Sequence, residues 1–208
     1  MTVDPTAEPA RSREIELKFD VDDATPLPDW SSLPGVASVS PGEVRDLDAR
    51  YLDTEAFDLG RAGYALRRRT GGPDAGWHIK GPRGADGGRV ELAWPLGPVD
   101  GVPDAVRAAV DDLTREPLRP IARLRNTRTA YALRDSAGGL VAEFVDDRVV
   151  ATDVVHAVET TWREWELELG PAAPTDHAAF FAAATDAVRA AGGCEAASAS
   201  KLARALGL

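Results

Sequence analysis

Residues 14–19 read Glu14-Ile15-Glu16-Leu17-Lys18-Phe19. Charged and apolar side chains alternate without a break. In an extended chain, residues two apart project to the same side, about 7 Å from each other. The spacing predicts a strand over 13–21, with Glu14, Glu16 and Lys18 on one face and Ile15, Leu17 and Phe19 on the other. Taken alone, this is also the pattern of an ordinary half-buried strand whose charges lie in water.

The pattern recurs. Ala65, Arg67 and Arg69 oppose Leu66 and Arg68, and His78 and Lys80 oppose Trp77 and Ile79. Arg89 and Glu91 oppose Val90 and Leu92, and Glu164, Glu166 and Glu168 oppose Trp165, Leu167 and Leu169. Further strands are expected over 36–39, 43–53, 118–134 and 140–151. Gly71-Gly72-Pro73-Asp74, residues 84–88 and Gly138-Gly139 supply turns. A helical turn is expected over 55–60 and a helix over 102–113. An Ala-rich helix over 175–191 is stopped by Gly192-Gly193, and a last short helix covers 200–206. Residues 1–12 read as a flexible tail, and 13–208 as a single domain. The fold class is mostly β (α+β): about eight antiparallel strands, long enough to close into a β-barrel, with flanking and C-terminal helices.

The chain has 208 residues, with 34 acids against 24 Lys plus Arg and a net charge of −10. Apolar residues make up 44%, which excludes disorder throughout. No run of about 18 apolar residues predicts a membrane span. The N-terminal residues hold no apolar core, so no signal peptide is expected. Cys194 is the sole cysteine, which excludes an internal disulfide and suits a reducing cytoplasm. It has no histidine partner nearby and reads as a packing residue. The acidic balance argues against a generic nucleic-acid binder. His156 and His177 have no metal-ligand spacing, and no phosphate-binding P-loop string exists.

In a closed barrel one face of every strand points inward. If the charged faces are the inward ones, the lumen holds Glu and Asp in about equal number to Arg and Lys. Three glutamates on one face repel each other unless cations intervene. Carboxylates hold Mg²⁺ or Mn²⁺, usually shared with phosphate oxygens. Arg forks and Lys charges take the phosphates themselves. A metal-bound phosphate chain uses both sets at once. His78 shares the inward face and reads equally as a phosphate ligand or as a hydrogen-bonded barrel histidine.

Several ordered segments match one family. They are 14–19, Tyr51-Leu52-Asp53-Thr54, Ala65-Leu66-Arg67-Arg68-Arg69, Trp77-His78-Ile79-Lys80, Arg125-Asn126-Thr127-Arg128, Glu143 to Asp147, residues 164–169 and Ser200-Lys201-Leu202-Ala203-Arg204. The chain resembles CYTH domains, also called triphosphate tunnel metalloenzymes, over about residues 13–206. The resemblance implies an eight-stranded antiparallel tunnel that acts on triphosphates with a divalent metal, Mg²⁺ or Mn²⁺. Carried over residue by residue, it implies metal ligands Glu14, Glu16, Glu166 and Glu168. Asp146 joins them by spacing, although Glu143 has the opposite parity. Lys18, Arg67, Arg69, Lys80, Arg128, Arg125 and Lys201 would bind phosphate. Simple alternation puts Arg125 and Arg128 on opposite faces unless the strand bulges. The expected substrate is inorganic triphosphate. The alternatives are thiamine triphosphate, ATP in an adenylate cyclase, and a non-catalytic polyphosphate-binding module. Many members precede a helical CHAD domain, so a longer parent chain with such a partner is a further expectation.

Overall fold

A computed structural model describes residues 8–85, 87–97, 101–198 and 200–208. Its strands are β1 (Ala10–Glu14), β2 (Glu16–Val21), β3 (Ser38–Val39), β4 (Glu43–Asp53), β5 (Ala65–Thr70), β6 (Gly76–Arg83), β7 (Arg89–Pro95), β8 (Arg119–Arg134), β9 (Leu140–Asp153), β10 (Val158–Leu169) and β11 (Cys194–Glu195). The helices are α1 (Asp58–Arg61), α2 (Asp104–Ala108), α3 (His177–Ala191) and α4 (Lys201–Ala205). None among the described residues is long and apolar enough to cross a membrane.

The strands form one antiparallel sheet in the order β1-β7-β6-β5-β4-β8-β9-β10-β2-β11, with β3 on β8. Only Ile15 separates β1 from β2, yet β1 pairs with β7 while β2 pairs with β10. The run 10–21 therefore spans both edges of the long sheet, and the Ile15 carbonyl accepts from the Leu169 N–H at 3.0 Å. No ladder joins β1 to β2, so the hydrogen-bonded path stays open while the walls enclose a tunnel. With 10–21 counted as one bent strand, eight long strands build it, as expected; β3 and β11 are short additions. The tail is shorter than the sequence reading put it. Residues 1–7 lie outside the described residues, and Ala10 to Ser12 already pair with Ala93 to Glu91.

On β2, β5, β6, β7 and β10 the apolar face points outward, under helices, whereas β4 turns Leu47, Ala49 and Tyr51 inward. Phe19, Phe144, Trp165 and Leu167 are fully buried against Phe180, Ala184 and Val188 of α3. Asp176 caps that helix by accepting from the Ala179 N–H, and Gly192 ends it at φ 101°, where a side chain would be strained. A second outer cluster joins Leu66, Trp77, Ile79 and Trp94 to Leu59, Val106 and Val110. A third lies inside the tunnel. There Leu202, Ala205 and Leu206 pack on Ala49, Tyr51, Ala122, Leu124, Val149 and Ala151, so α4 closes one end. Cys194 is exposed rather than packed.

Phe144 meets Trp30 and Tyr131 in tilted contacts and Trp165 edge to face. Phe144→Ala is expected to lower the free energy of unfolding by about 3–5 kcal/mol in urea titration. Val44→Thr, at an exposed position, should stay within about 0.5 kcal/mol.

Candidate active site

Alternation sends every second residue of eight strands into one cavity of about 270 Å³. Its lining includes Glu14, Glu16, Lys18, Arg67, Arg69, Lys80, Arg128, Glu166, Glu168 and Lys201. These are ten of the twelve residues expected from the sequence; the other two lie elsewhere.

Arg125 is the first exception. The β8–β9 pairing runs without a break from Ala122↔Asp153 to Leu133↔Ala142, so no bulge resets the alternation. Arg128 therefore points inward, and Arg125 points outward to pair with Glu159 at 3.2 Å, with about half its side chain exposed. Asp146 is the second. It faces outward, accepting from Arg163 at 2.8 and 2.9 Å and from the Trp165 indole N–H at 3.1 Å. An indole buried on the outer face needs an acceptor there, and Asp146 is that acceptor. The inward carboxylates of β9 are Asp147 and Glu143, one residue on and three residues back.

At the α4 end, Asp147 is fully buried. It takes a two-pronged bond from Arg128, at 2.8 and 2.7 Å, and Arg128 also donates to Glu166 at 3.0 Å. Lys201, at the first position of α4, places its ammonium 2.9 Å from Asp147, 2.5 Å from Glu164 and 2.7 Å from Glu166. Ser200 caps the helix by accepting from the Ala203 N–H at 3.1 Å, which fixes the direction of that lysine. Burial alone would drive the Lys201 ammonium towards neutrality, but Asp147, Glu166 and Glu164 hold its pKa well above the usual lysine range. Burial likewise opposes ionisation of Glu166, and Lys18, Lys201 and Arg128 overcome it, so its pKa falls well below normal. Lys18 bonds both Glu166 and Glu16, the latter at 3.0 Å.

Around the tunnel from there, Lys80 bonds Glu14 at 2.6 Å. Burial, and then the neighbouring Glu91, outweigh Lys80 and push the Glu14 carboxyl up to about 7. Glu91 is a tunnel-side acid outside the expected set. Burial opposes its ionisation, but the His78 hydrogen bond and the charge of Lys80 hold its pKa far below normal. His78 bonds Glu91 at 2.9 Å and the Asp74 carbonyl at 2.9 Å, so it is a barrel histidine tied at both nitrogens. Arg67 lies 3.6 Å from Glu91 and donates to the Tyr51 hydroxyl at 3.4 Å. Arg69 pairs with Asp74 on the β5–β6 turn, and burial beside Arg67 and Arg128 brings its pKa down to about 9.

A divalent metal suits part of this lining. Glu16 and Glu168 face each other directly in the β2–β10 ladder, an unfavourable arrangement for like charges. Burial raises the Glu168 pKa, with Glu16, Glu166 and Glu143 adding to the rise against Lys80. Glu14, Glu16 and Glu168 offer carboxylate oxygens, the donor type that Mg²⁺ or Mn²⁺ takes, although Lys80 pairs with Glu14 and Lys18 with Glu16. Among the described residues the acids whose oxygens lie within 4.8 Å of one another are Asp147, Glu164 and Glu166, and Lys201 and Arg128 pair with them.

The CYTH domain family profile matches residues 12–206, and the chain belongs to the CYTH domain family. Two uncharacterized proteins, from two Mycobacterium tuberculosis strains, are each 40% identical over 214 residues. The alignment covers 96% of this chain but only 41% of theirs, so the chain spans about two-fifths of their length. A candidate adenylate cyclase from Bacillus halodurans shares the fold, with a TM-score of 0.62 and 19% identity over 93% of this chain and 97% of that one. So does a candidate adenylyl cyclase from Hippeastrum, described as having a dominant triphosphatase activity. Its TM-score is 0.58, with 18% identity over 93% of this chain and 95% of that one.

Metal ligands must shed their protons before they coordinate. Because the Glu14 carboxyl titrates near 7, Mg²⁺ affinity measured by calorimetry should rise between pH 6 and pH 8 and flatten above that. An affinity constant across this range would remove Glu14 from the metal set.

Proposed function

We propose that the chain is a divalent-metal-dependent hydrolase that cleaves inorganic triphosphate to pyrophosphate and phosphate. The observation that carries the reading is one blind tunnel in which buried cations and buried carboxylates are drawn into the same cavity. A triphosphate with its metal satisfies both sets; a simple anion satisfies only the cations. Among the described lining residues Tyr51 is the only aromatic, so the wall offers charges and small apolar groups but no ring stack for a base. That favours an inorganic substrate over a nucleotide.

Lys18, Arg67, Arg69, Lys80, Arg128 and Lys201 take the phosphate oxygens. The paired carboxylates keep these cations charged and aimed before substrate arrives, so little reorganisation is needed when charge develops. Glu14, Glu16 and Glu168 would hold the Mg²⁺ or Mn²⁺, with Glu166 beside them shared among Lys18, Arg128 and Lys201. The bound metal supplies charge neutralisation at the phosphate oxygens and lowers the barrier to water attack. Water forms the new P–O bond, the bridging oxygen leaves with pyrophosphate, and one proton is released. α4 covers the deep end, and the burial of Asp147, Glu166 and Lys201 there strengthens their interactions.

With Mg²⁺, phosphate release from inorganic triphosphate should exceed release from ATP or thiamine triphosphate, and chelator should abolish it. Glu16→Gln is expected to lower kcat/KM by about 10²–10³-fold with the circular dichroism spectrum retained. Arg125→Gln, on the outer face, should change it less than about twofold. No metal-dependent release from any triphosphate would remove the hydrolase reading.

A further inference from the structure

His78 shares the inner face of β6 with Lys80, yet only Lys80 is part of the cavity lining. The imidazole is buried in the wall, 4% exposed. It lies across the β5–β6 ladder from Arg67. Its two nitrogens meet two different parts of that wall. Nε2 is 2.9 Å from the Asp74 carbonyl on the β5–β6 turn, and Nδ1 is 2.9 Å from Glu91 Oε1 on β7. A carbonyl can only accept, so Nε2 donates to it. A hydrogen bond on the other side places a proton between Nδ1 and Glu91, which joins ring and carboxyl into one unit.

Each partner of the ring also holds a tunnel arginine. The Asp74 side chain pairs with Arg69, and Arg69 reaches the Asp74 carbonyl at 3.5 Å, the same oxygen that accepts from His78. Glu91 Oε1, the oxygen that meets His78, lies 3.6 Å from Arg67. Arg67 and Arg69 are two residues apart on one strand face, about 7 Å from each other. Like charges so placed repel, and each guanidinium keeps its direction only as firmly as its acceptor is held. Asp74 is the weaker of the two anchors: it sits on the Gly71-Gly72-Pro73-Asp74 turn with about half its side chain exposed. The bond from His78 is what ties that turn to the acid on β7.

We propose that His78 is a positioning residue: by tying the Asp74 carbonyl to Glu91, one imidazole aims Arg69 and Arg67 together at the phosphate chain. The ring itself touches no substrate. The inference rests on the hydrolase reading, in which both arginines take phosphate oxygens. Leucine at position 78 leaves the turn and Glu91 unjoined, and the two guanidiniums lose their common frame. Glutamine puts a donor where Nε2 stands, which keeps the turn and with it Arg69.

Two readouts test this: Kd for tripolyphosphate by calorimetry with chelator present, and KM and kcat with Mg²⁺. His78→Leu should raise Kd and KM about tenfold and leave kcat within about threefold, and His78→Gln should recover part of the loss. Residues that act through a shared partner are not additive, so in an Arg67→Gln or an Arg69→Gln background His78→Leu should raise Kd only about threefold or less. The full tenfold rise in both backgrounds would mean a general loosening of the wall and would overturn the positioning role. An unchanged Kd in the single variant, whatever happens to kcat, would overturn it too. If circular dichroism shows that His78→Leu does not fold, His78→Gln carries the same cycle, with a rise of about threefold that shrinks in both arginine backgrounds. Absence of hydrolysis by the wild type removes the hydrolase reading alone, because the Kd cycle needs no turnover. Absence of tripolyphosphate binding by the wild type overturns the role of His78 as well.

Discussion

The ammonium of Lys201 lies among Asp147, Glu164 and Glu166, deep in a tunnel where most charges are held by opposite ones. Withdrawing a carboxylate or an ammonium from water costs several kcal/mol, and only close, well-aligned partners offset it. Most of the wall follows from that constraint. Arg128 grips Asp147 with two bonds, Lys18 bridges Glu16 and Glu166, and Lys80 holds Glu14. Compensation is weakest at Glu168, which faces Glu16 across the β2–β10 ladder.

Charges inside require hydrocarbon outside. β2, β5, β6, β7 and β10 turn their apolar side to a layer of helices, reversing the arrangement of a barrel with an oily lumen. Leu17 and Phe19 lie under α3 while Glu16 and Lys18 look inward, and Trp77 and Ile79 lie beneath the α1 and α2 region while His78 and Lys80 look inward. The helix α4 is the exception that defines the tunnel as blind. It enters the lumen, covers the one apolar stretch of inner wall, and delivers Lys201 to the carboxylates. A single five-residue helix therefore closes one end and contributes a cation to the site.

Strands with one charged and one apolar face were readable at once, because period two survives wherever the two faces meet different surroundings. That covers 14–19, 65–69, 76–80 and 164–169, and with them most of the lining. The failures fall where the contrast is lost. On β9 both faces are buried, the outer by α3 and the inner by α4, so Phe144, Val145 and Val149 say nothing about direction and Asp146 could not be told from Asp147. On β8 two arginines three apart have opposite parity, and only the unbroken register with β9 decides between them. Arg45 and Glu143 carried no repeat of their own; they meet only through the pairing of β4, β8 and β9. Glu91 was on a readable face, yet its hydrogen bond to His78 depends on the β6–β7 register. Lys201 was legible as a motif, while its depth depends on where α4 docks.

The central claim is that metal and polyphosphate meet inside this tunnel, against opposite arcs of its wall. A crystal structure of the protein with Mn²⁺ and tripolyphosphate, recorded with anomalous scattering, tests it most directly. The account expects an anomalous peak within coordinating distance of Glu14, Glu16 or Glu168, with phosphate density on Arg67, Lys80 and Arg128. Manganese and phosphate bound only on the outer face of the sheet, with the tunnel cations still paired as in the free protein, would contradict it.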